Sequence, residues 1–129
     1  MPRPLTARQQ IGAAAENAAC ALLQARGLQC LARNVGYPFG EIDLVMLDAG
    51  TVVFVEVRYR RASSFGGGAV SVDAGKRRRI ALAAQAWLDD NRKFAKAACR
   101  FDVVAIGGTV DSLQPEWIPA AFTLDDVAG

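Results

Sequence analysis

Histidine is absent from the 129 residues. That removes Ser-His-Asp and Cys-His catalysis, along with the commonest transition-metal ligand. Cysteine is scarce. Cys20, Cys30 and Cys99 are odd in number, widely spaced and without a CxxC pair, so neither a disulfide framework nor a zinc site is indicated. No apolar run approaches the ~18 residues of a membrane span. Met1-Pro2-Arg3-Pro4 leads into polar sequence, not the apolar core of a signal peptide. A cytoplasmic protein with no membrane segment is the expectation. The loop Phe65-Gly66-Gly67-Gly68-Ala69 is glycine-rich, but it lacks the GxxxxGK[ST] spacing of a nucleotide-binding P-loop. Internal repeats and low-complexity segments are also missing.

What remains is a chain of ordinary globular composition, 52% hydrophobic and 22% charged. Residues 1–129 are read as one domain, large enough to bury roughly two-thirds of its unfolded surface. The net charge of +2 hides an asymmetry. Residues 58–100 hold eleven basic side chains against three acids, a local balance of +8, whereas residues 101–129 hold five acids and no base. A basic middle segment fits a polyanionic partner such as nucleic acid, although a charge run is more often a solvated face.

Thr6 and Gln9 have capping-box spacing, and Ile11, Ala15, Ala18 and Leu22 recur at helical intervals before Gly27. This predicts a helix over about 7–26. Its one acid, Glu16, has small or apolar neighbours on the helix surface and no Lys or Arg three or four positions away. A first strand is predicted over 28–35 and a turn over 34–40. A second helix, over about 74–91, is capped by Ser71 or Asp73 and carries Lys76-Arg77-Arg78-Arg79 at its start. Four consecutive cations spread over more than 270° of a helix at ~100° per residue, so only some can face one ligand. They oppose the macrodipole there, which favours a bound anion. Cys99 to Ile106 reads as another strand, and Trp117, Ile118 and Phe122 as a tail that packs onto the core as one edge strand.

The centre of the chain is Gly40-Glu41-Ile42-Asp43-Leu44-Val45-Met46-Leu47 and Thr51-Val52-Val53-Phe54-Val55-Glu56-Val57-Arg58, a hairpin by its β-branched and apolar content. Asp43 and Glu56 interrupt it, and an unpaired buried carboxylate costs several kcal/mol. A two-residue loop at Ala49-Gly50 would set Asp43 opposite Glu56, with Cβ atoms about 5 Å apart on one face. A three-residue loop would separate them. Two acids that close require a cation: Arg58, one strand step along, or a divalent metal with hard oxygen ligands. A structural ion pair of Arg58 with one acid is the plainer alternative.

The order helix, three strands, helix, strand makes an α/β sandwich with a mixed β-sheet flanked by helices. With Glu16, Asp43, Glu56 and Arg58 in place, it resembles the PD-(D/E)XK nuclease superfamily. Gly40-Glu41-Ile42-Asp43-Leu44 and Val53-Phe54-Val55-Glu56-Val57-Arg58-Tyr59-Arg60 look more closely like the YraN-like family of small bacterial proteins, related to archaeal Holliday-junction resolvases. Gly12 with Glu16 and Asn17, Phe65-Gly66-Gly67, Lys76 with Arg79 and Ile80, and Arg100-Phe101-Asp102-Val103-Val104 extend the resemblance over nearly the whole chain.

The resemblance implies a restriction endonuclease-like αβββαβ core and an endonuclease dependent on Mg²⁺ or Mn²⁺. Glu16, Asp43, Glu56 and Arg58 would be its catalytic set, and Asp43, Glu56 and the Val57 carbonyl its metal ligands. Arg60, Arg61, Lys76, Arg77 and Arg79 are the candidate contacts to DNA. A homodimer is the candidate assembly, since symmetric resolvases cut two strands. One departure stands out: Arg58 occupies a position where the superfamily usually has lysine, and arginine is a poor general base. Lys76 is the nearest lysine in the sequence that could substitute. Two other readings follow from the same residues. One is a nucleic-acid-binding module with a weak or inactive site; the other is a protein adaptor using the acidic, aromatic tail.

Overall fold

Thr6 begins the first helix as its spacing to Gln9 requires. The Gln9 amide donates to Thr6 Oγ1 at 3.1 Å, and the Thr6 amide donates back to Gln9 Oε1 at 2.9 Å, so both orphan donors are satisfied. The computed structural model describes residues 6–59, 72–109 and 111–123. Helix α1 (Ala7–Ala25) is followed by β1 (Gln29–Tyr37), β2 (Gly40–Asp48) and β3 (Thr51–Tyr59), then α2 (Ala74–Asp90), β4 (Cys99–Thr109) and β5 (Ser112–Phe122). A single 3-10 turn, Arg92–Phe94, lies between α2 and β4.

The five strands form one mixed sheet in the order β1-β2-β3-β4-β5. All neighbours are antiparallel except β3 and β4, whose parallel pairing is connected through α2. Residue alternation along β3 explains why a helix covers each face. Val52 and Phe54 pack with Ile80, Ala83, Ala84 and Trp87 of α2, while Val53 and Val55 pack with Ala15, Ala19, Cys20 and Leu23 of α1. This is the α/β sandwich expected, with a fifth strand beyond the αβββαβ core, and it is consistent with a restriction endonuclease-like core.

Two element boundaries differ from expectation, and one expected alternative is resolved. The segment expected as a turn over 34–40 continues as strand to Tyr37, because Tyr37 pairs with Gly40 and only Pro38-Phe39 remain to reverse the chain. β4 passes through Gly107-Gly108 instead of ending there, since β5 pairs along its full length to Thr109↔Ser112. Asp73, with its side chain accepting from the Lys76 amide at 2.8 Å, caps α2; Ser71 lies outside the described residues. β5 tolerates Pro115 and Pro119 because it is an edge strand with one side unpaired.

Asp102 fixes that edge. It is fully buried, at a register shift between Phe101 and Val103. Its carboxylate accepts from Arg100 Nε at 3.0 Å, Trp117 Nε1 at 2.9 Å and the Ala120 amide at 2.9 Å. Arg100 also reaches Asp48 at 2.9 Å, tying the β2–β3 turn to β4. A buried charge with this many donors is stable; the same donors without it are not. Asp102→Ala is expected to lower the unfolding free energy by about 3–5 kcal/mol. Urea denaturation of the two proteins checks this, and a loss under about 1 kcal/mol would mean that the network does not hold β5.

Candidate functional site

The β2–β3 register is the one a two-residue loop demands. Asp48 pairs with Thr51, and the ladder runs to Leu44↔Val55. Ala49 and Gly50 both have positive φ, 49° and 91°, as a type I′ turn requires. One step short of Asp43 and Glu56 the pairing stops. The Val57 amide, next in line to bond β2, instead donates to Asp43 Oδ2 at 2.7 Å. A carboxylate has taken the place of the neighbouring strand.

The cause lies in the phase of β2. Ile42 and Val45 both belong to the α2-side core although they are three positions apart, while Leu44 faces the α1-side core. Regular alternation forbids this. Opposite them on β1, Val35 and Ala32 also both pack toward α2, and between them Asn34 has φ of +52°, a left-handed conformation that asparagine adopts more readily than most residues. The two strands therefore kink together, and Asp43 is left between the two faces of the sheet.

Asp43 and Val57 accordingly line concavities on both sides. The larger, about 630 Å³, is edged by Tyr37, Phe39, Gly40, Glu56, Lys76 and Arg79 as well. The smaller, about 220 Å³, adds Gly12, Ala15, Glu16 and Tyr59. Glu56 lines the larger concavity and Glu16 the smaller, with Asp43 common to both. Among the described residues no three of His, Cys, Asp and Glu cluster as a metal-holding group.

Glu56 and Glu16 have each found a cation that local sequence spacing did not reveal. Lys76 Nζ lies 2.6 Å from Glu56 Oε1, with Glu56 only 7% exposed. Of the two cations expected between the acids, Arg58 or a divalent metal, Arg58 lines neither concavity. Glu16 Oε1 accepts from Arg33 Nη2 at 3.0 Å and Asn34 Nδ2 at 2.8 Å, and Arg33 also donates to Asn17. Topology carried a signal for Lys76. In a β-α-β crossover the helix starts near the carboxyl end of the strand before it, where α/β folds place their ligands. For Arg33 the sequence held none, because its reach depends on the kink at Asn34.

The four cations of α2 divide as the helical wheel requires. Lys76 and Arg79 edge the larger concavity. Arg77 turns away, donating to the Val72 carbonyl at 2.6 Å and lying 5.9 Å over the Phe122 ring. That side chain braces the helix against β5 and is not brought to the cleft. Arg60, Arg61 and the Phe65-Gly66-Gly67 loop lie outside the described residues.

Burial, and then the nearby Glu56 charge, push the Asp43 carboxyl up to about 7; the Val57 amide and Lys76 pull against them.

Comparison with known sequences places these residues in a family. A model described as "Uncharacterised protein family UPF0102" matches residues 15–106, a span containing Glu16, Asp43, Glu56, Arg58 and Lys76. A UPF0102 protein of Xanthomonas campestris pv. campestris (strain B100) is 54% identical over 120 residues, covering 93% of this chain and 97% of its own length. Another from Pseudomonas putida (strain GB-1) is 48% identical over 120 residues, covering 92% and 98%.

The raised Asp43 pKa predicts the pH dependence of the metal-free protein. The fold favours the protonated carboxyl, so this contribution is complete below about 4 and lost as pH rises through about 7. In EDTA, Asp43→Asn should therefore gain melting temperature over the wild type at pH 8 and lose that advantage at pH 4.5. Parallel melting curves at all pH values would refute the assignment.

Proposed function

The chain belongs to the UPF0102 family, and on that premise we propose that it is a metal-dependent endonuclease of the PD-(D/E)XK kind, hydrolysing phosphodiester bonds in DNA, with branched, Holliday-junction-like DNA as the candidate substrate. The observation that carries the reading is the Asp43–Glu56 pair at the break in the sheet, met by Lys76 and edged by Arg79. Burial and a neighbouring carboxylate together raise the Asp43 pKa, a perturbation that structural carboxylates rarely carry and that sites binding a metal cation commonly do.

The donor set fits Mg²⁺ or Mn²⁺. Both ions take hard oxygens and are satisfied by one or two carboxylates, with waters and substrate phosphate completing the shell. Asp43 and Glu56 supply the carboxylates. The Val57 N–H points to β2, and a strand residue sends its N–H and C=O to the same edge, so the Val57 carbonyl faces the same gap. Such an ion, when bound, would supply charge neutralisation on the phosphate and lower the pKa of a bound water.

The chain's own groups do the rest. Lys76 holds an ammonium against one of the two Glu56 oxygens, where it can orient the attacking water and stabilise charge developing on the phosphate. It supplies from α2 the lysine that β3 lacks at Arg58. Arg79 edges the cleft as a phosphate contact. Glu16, held by Arg33 and Asn34, acts through Asp43 by repulsion.

A second reading, a nucleic-acid-binding module without turnover, is favoured by one observation: Glu16 is committed to its own ion pair and, among the described residues, joins no three-acid cluster.

Cleavage of a labelled four-way junction, with linear duplex controls, separates the two. Cuts are expected in Mg²⁺ or Mn²⁺ and none in EDTA. Asp43→Ala and Glu56→Ala should abolish them, and Lys76→Met should slow them by about 10²–10³-fold, more than Arg58→Ala does. Wild-type protein that binds the junction without cutting it would establish the binding module. No binding at all would sink both readings.

A further inference from the structure

Phe39 stands at the tip of the two-residue β1–β2 turn and is 43% exposed. Single exposed apolar side chains are common on protein surfaces; what distinguishes this one is its support and its location. Its ring lies parallel to Tyr37, with centroids 5.6 Å apart and planes 4° from one another. Tyr37 is itself held, its hydroxyl donating to Asp90 Oδ2 at 3.0 Å. The turn is anchored as well. Gly40 sits so close to the backbone of α2 that a Cβ there would run into the Arg79 carbonyl oxygen. Phe39 is therefore a rigidly backed aromatic plane. Tyr37, Pro38, Phe39 and Gly40 edge the same concavity as Asp43, Glu56, Lys76 and Arg79.

We propose that Phe39, stacked on Tyr37, is a platform for an unpaired nucleobase, and that the nucleic acid handled in the cleft is single-stranded where it passes the β1–β2 turn. This rests on the nuclease reading above and specifies its substrate class. An aromatic face beside phosphate-binding cations is the pairing that single-strand recognition uses, because every unstacked base offers a π-face while the backbone offers charge. In a continuous duplex the base faces are occupied by one another, so an exposed ring has nothing to stack on. Lys76 and Arg79 supply the cations here. The platform carries no hydrogen-bonding edge, so the preference concerns pairing state and not sequence. The same chemistry serves DNA and RNA single strands.

The test is fluorescence anisotropy of the full chain with 12-nucleotide DNA and RNA single strands carrying 2-aminopurine, and with a blunt DNA duplex. Ca²⁺ replaces Mg²⁺ to hold the substrate intact. The wild type should bind single strands more tightly than duplex and quench 2-aminopurine. Phe39→Ala should reduce the ratio of single-strand to duplex affinity by on the order of tenfold, with quenching lost. Phe39→Trp should restore both, which a merely structural role for the ring would not produce. An unchanged ratio and unchanged quenching in Phe39→Ala overturn the platform while leaving the nuclease reading intact if Asp43-dependent cleavage persists. Wild-type protein that binds no nucleic acid overturns both. A DNA or RNA preference identifies which single strand the platform serves.

Discussion

A strand amide buried beside its neighbour must find an acceptor, and at Val57 that acceptor is the Asp43 carboxylate, not the β2 backbone. Much of the local architecture depends on this exchange. Because β2 leaves β3 after Leu44, Ile42 is free to enter the α2-side core. That in turn brings Gly40 against the Arg79 backbone and seats the first turn of α2 over the end of β3. Lys76 reaches Glu56 for this reason. The catalytic geometry proposed here and the departure from regular sheet structure are one event.

The arrangement is costly to the isolated protein. Two carboxylates near one another, one of them with its pKa raised to about 7, destabilise a metal-free fold at neutral pH. Sequences that violate local rules of burial do so mostly at functional sites, and offset the cost elsewhere. Here the offset is visible. The α1- and α2-side clusters are large and continuous, and Arg100, Trp117 and the Ala120 amide satisfy the fully buried Asp102. The contrast between two acids of the sheet is instructive: Asp102, fully buried, is surrounded by donors, whereas the half-buried Asp43 accepts from the Val57 amide beside a like charge.

Periodicity made most of the fold legible. The capping box, the helical stripes and the Ala49-Gly50 turn each correspond to a local physical preference, and each is found in place. The pairing register followed from the turn. What the sequence could not disclose were events that need two distant segments at once. The kink at Asn34 and Asp43 arises from four residues, Ala32, Val35, Ile42 and Val45, all turning to one core. A period-2 reading assigns every residue of a strand to alternate faces, and so it put Asp43 squarely opposite Glu56. Proximity in sequence likewise offers Arg58, beside a divalent metal, as the cation for these acids. Lys76 is twenty positions away and arrives through the crossover. Gly40 and Phe39 fall within the turn expected over 34–40, and only the packing of that turn on α2 gives them another meaning.

A β-sheet normally acts as a wall between the two layers it supports. At Asp43 and Val57 this wall has an opening, since the same two residues line the concavities on both sides. The α1 side, with Glu16 and Arg33, is therefore electrically joined to the α2 side without any moving part. A change of charge on the first helix is felt at the carboxylate that serves the opposite face, and the two layers of the domain share one electrostatic compartment.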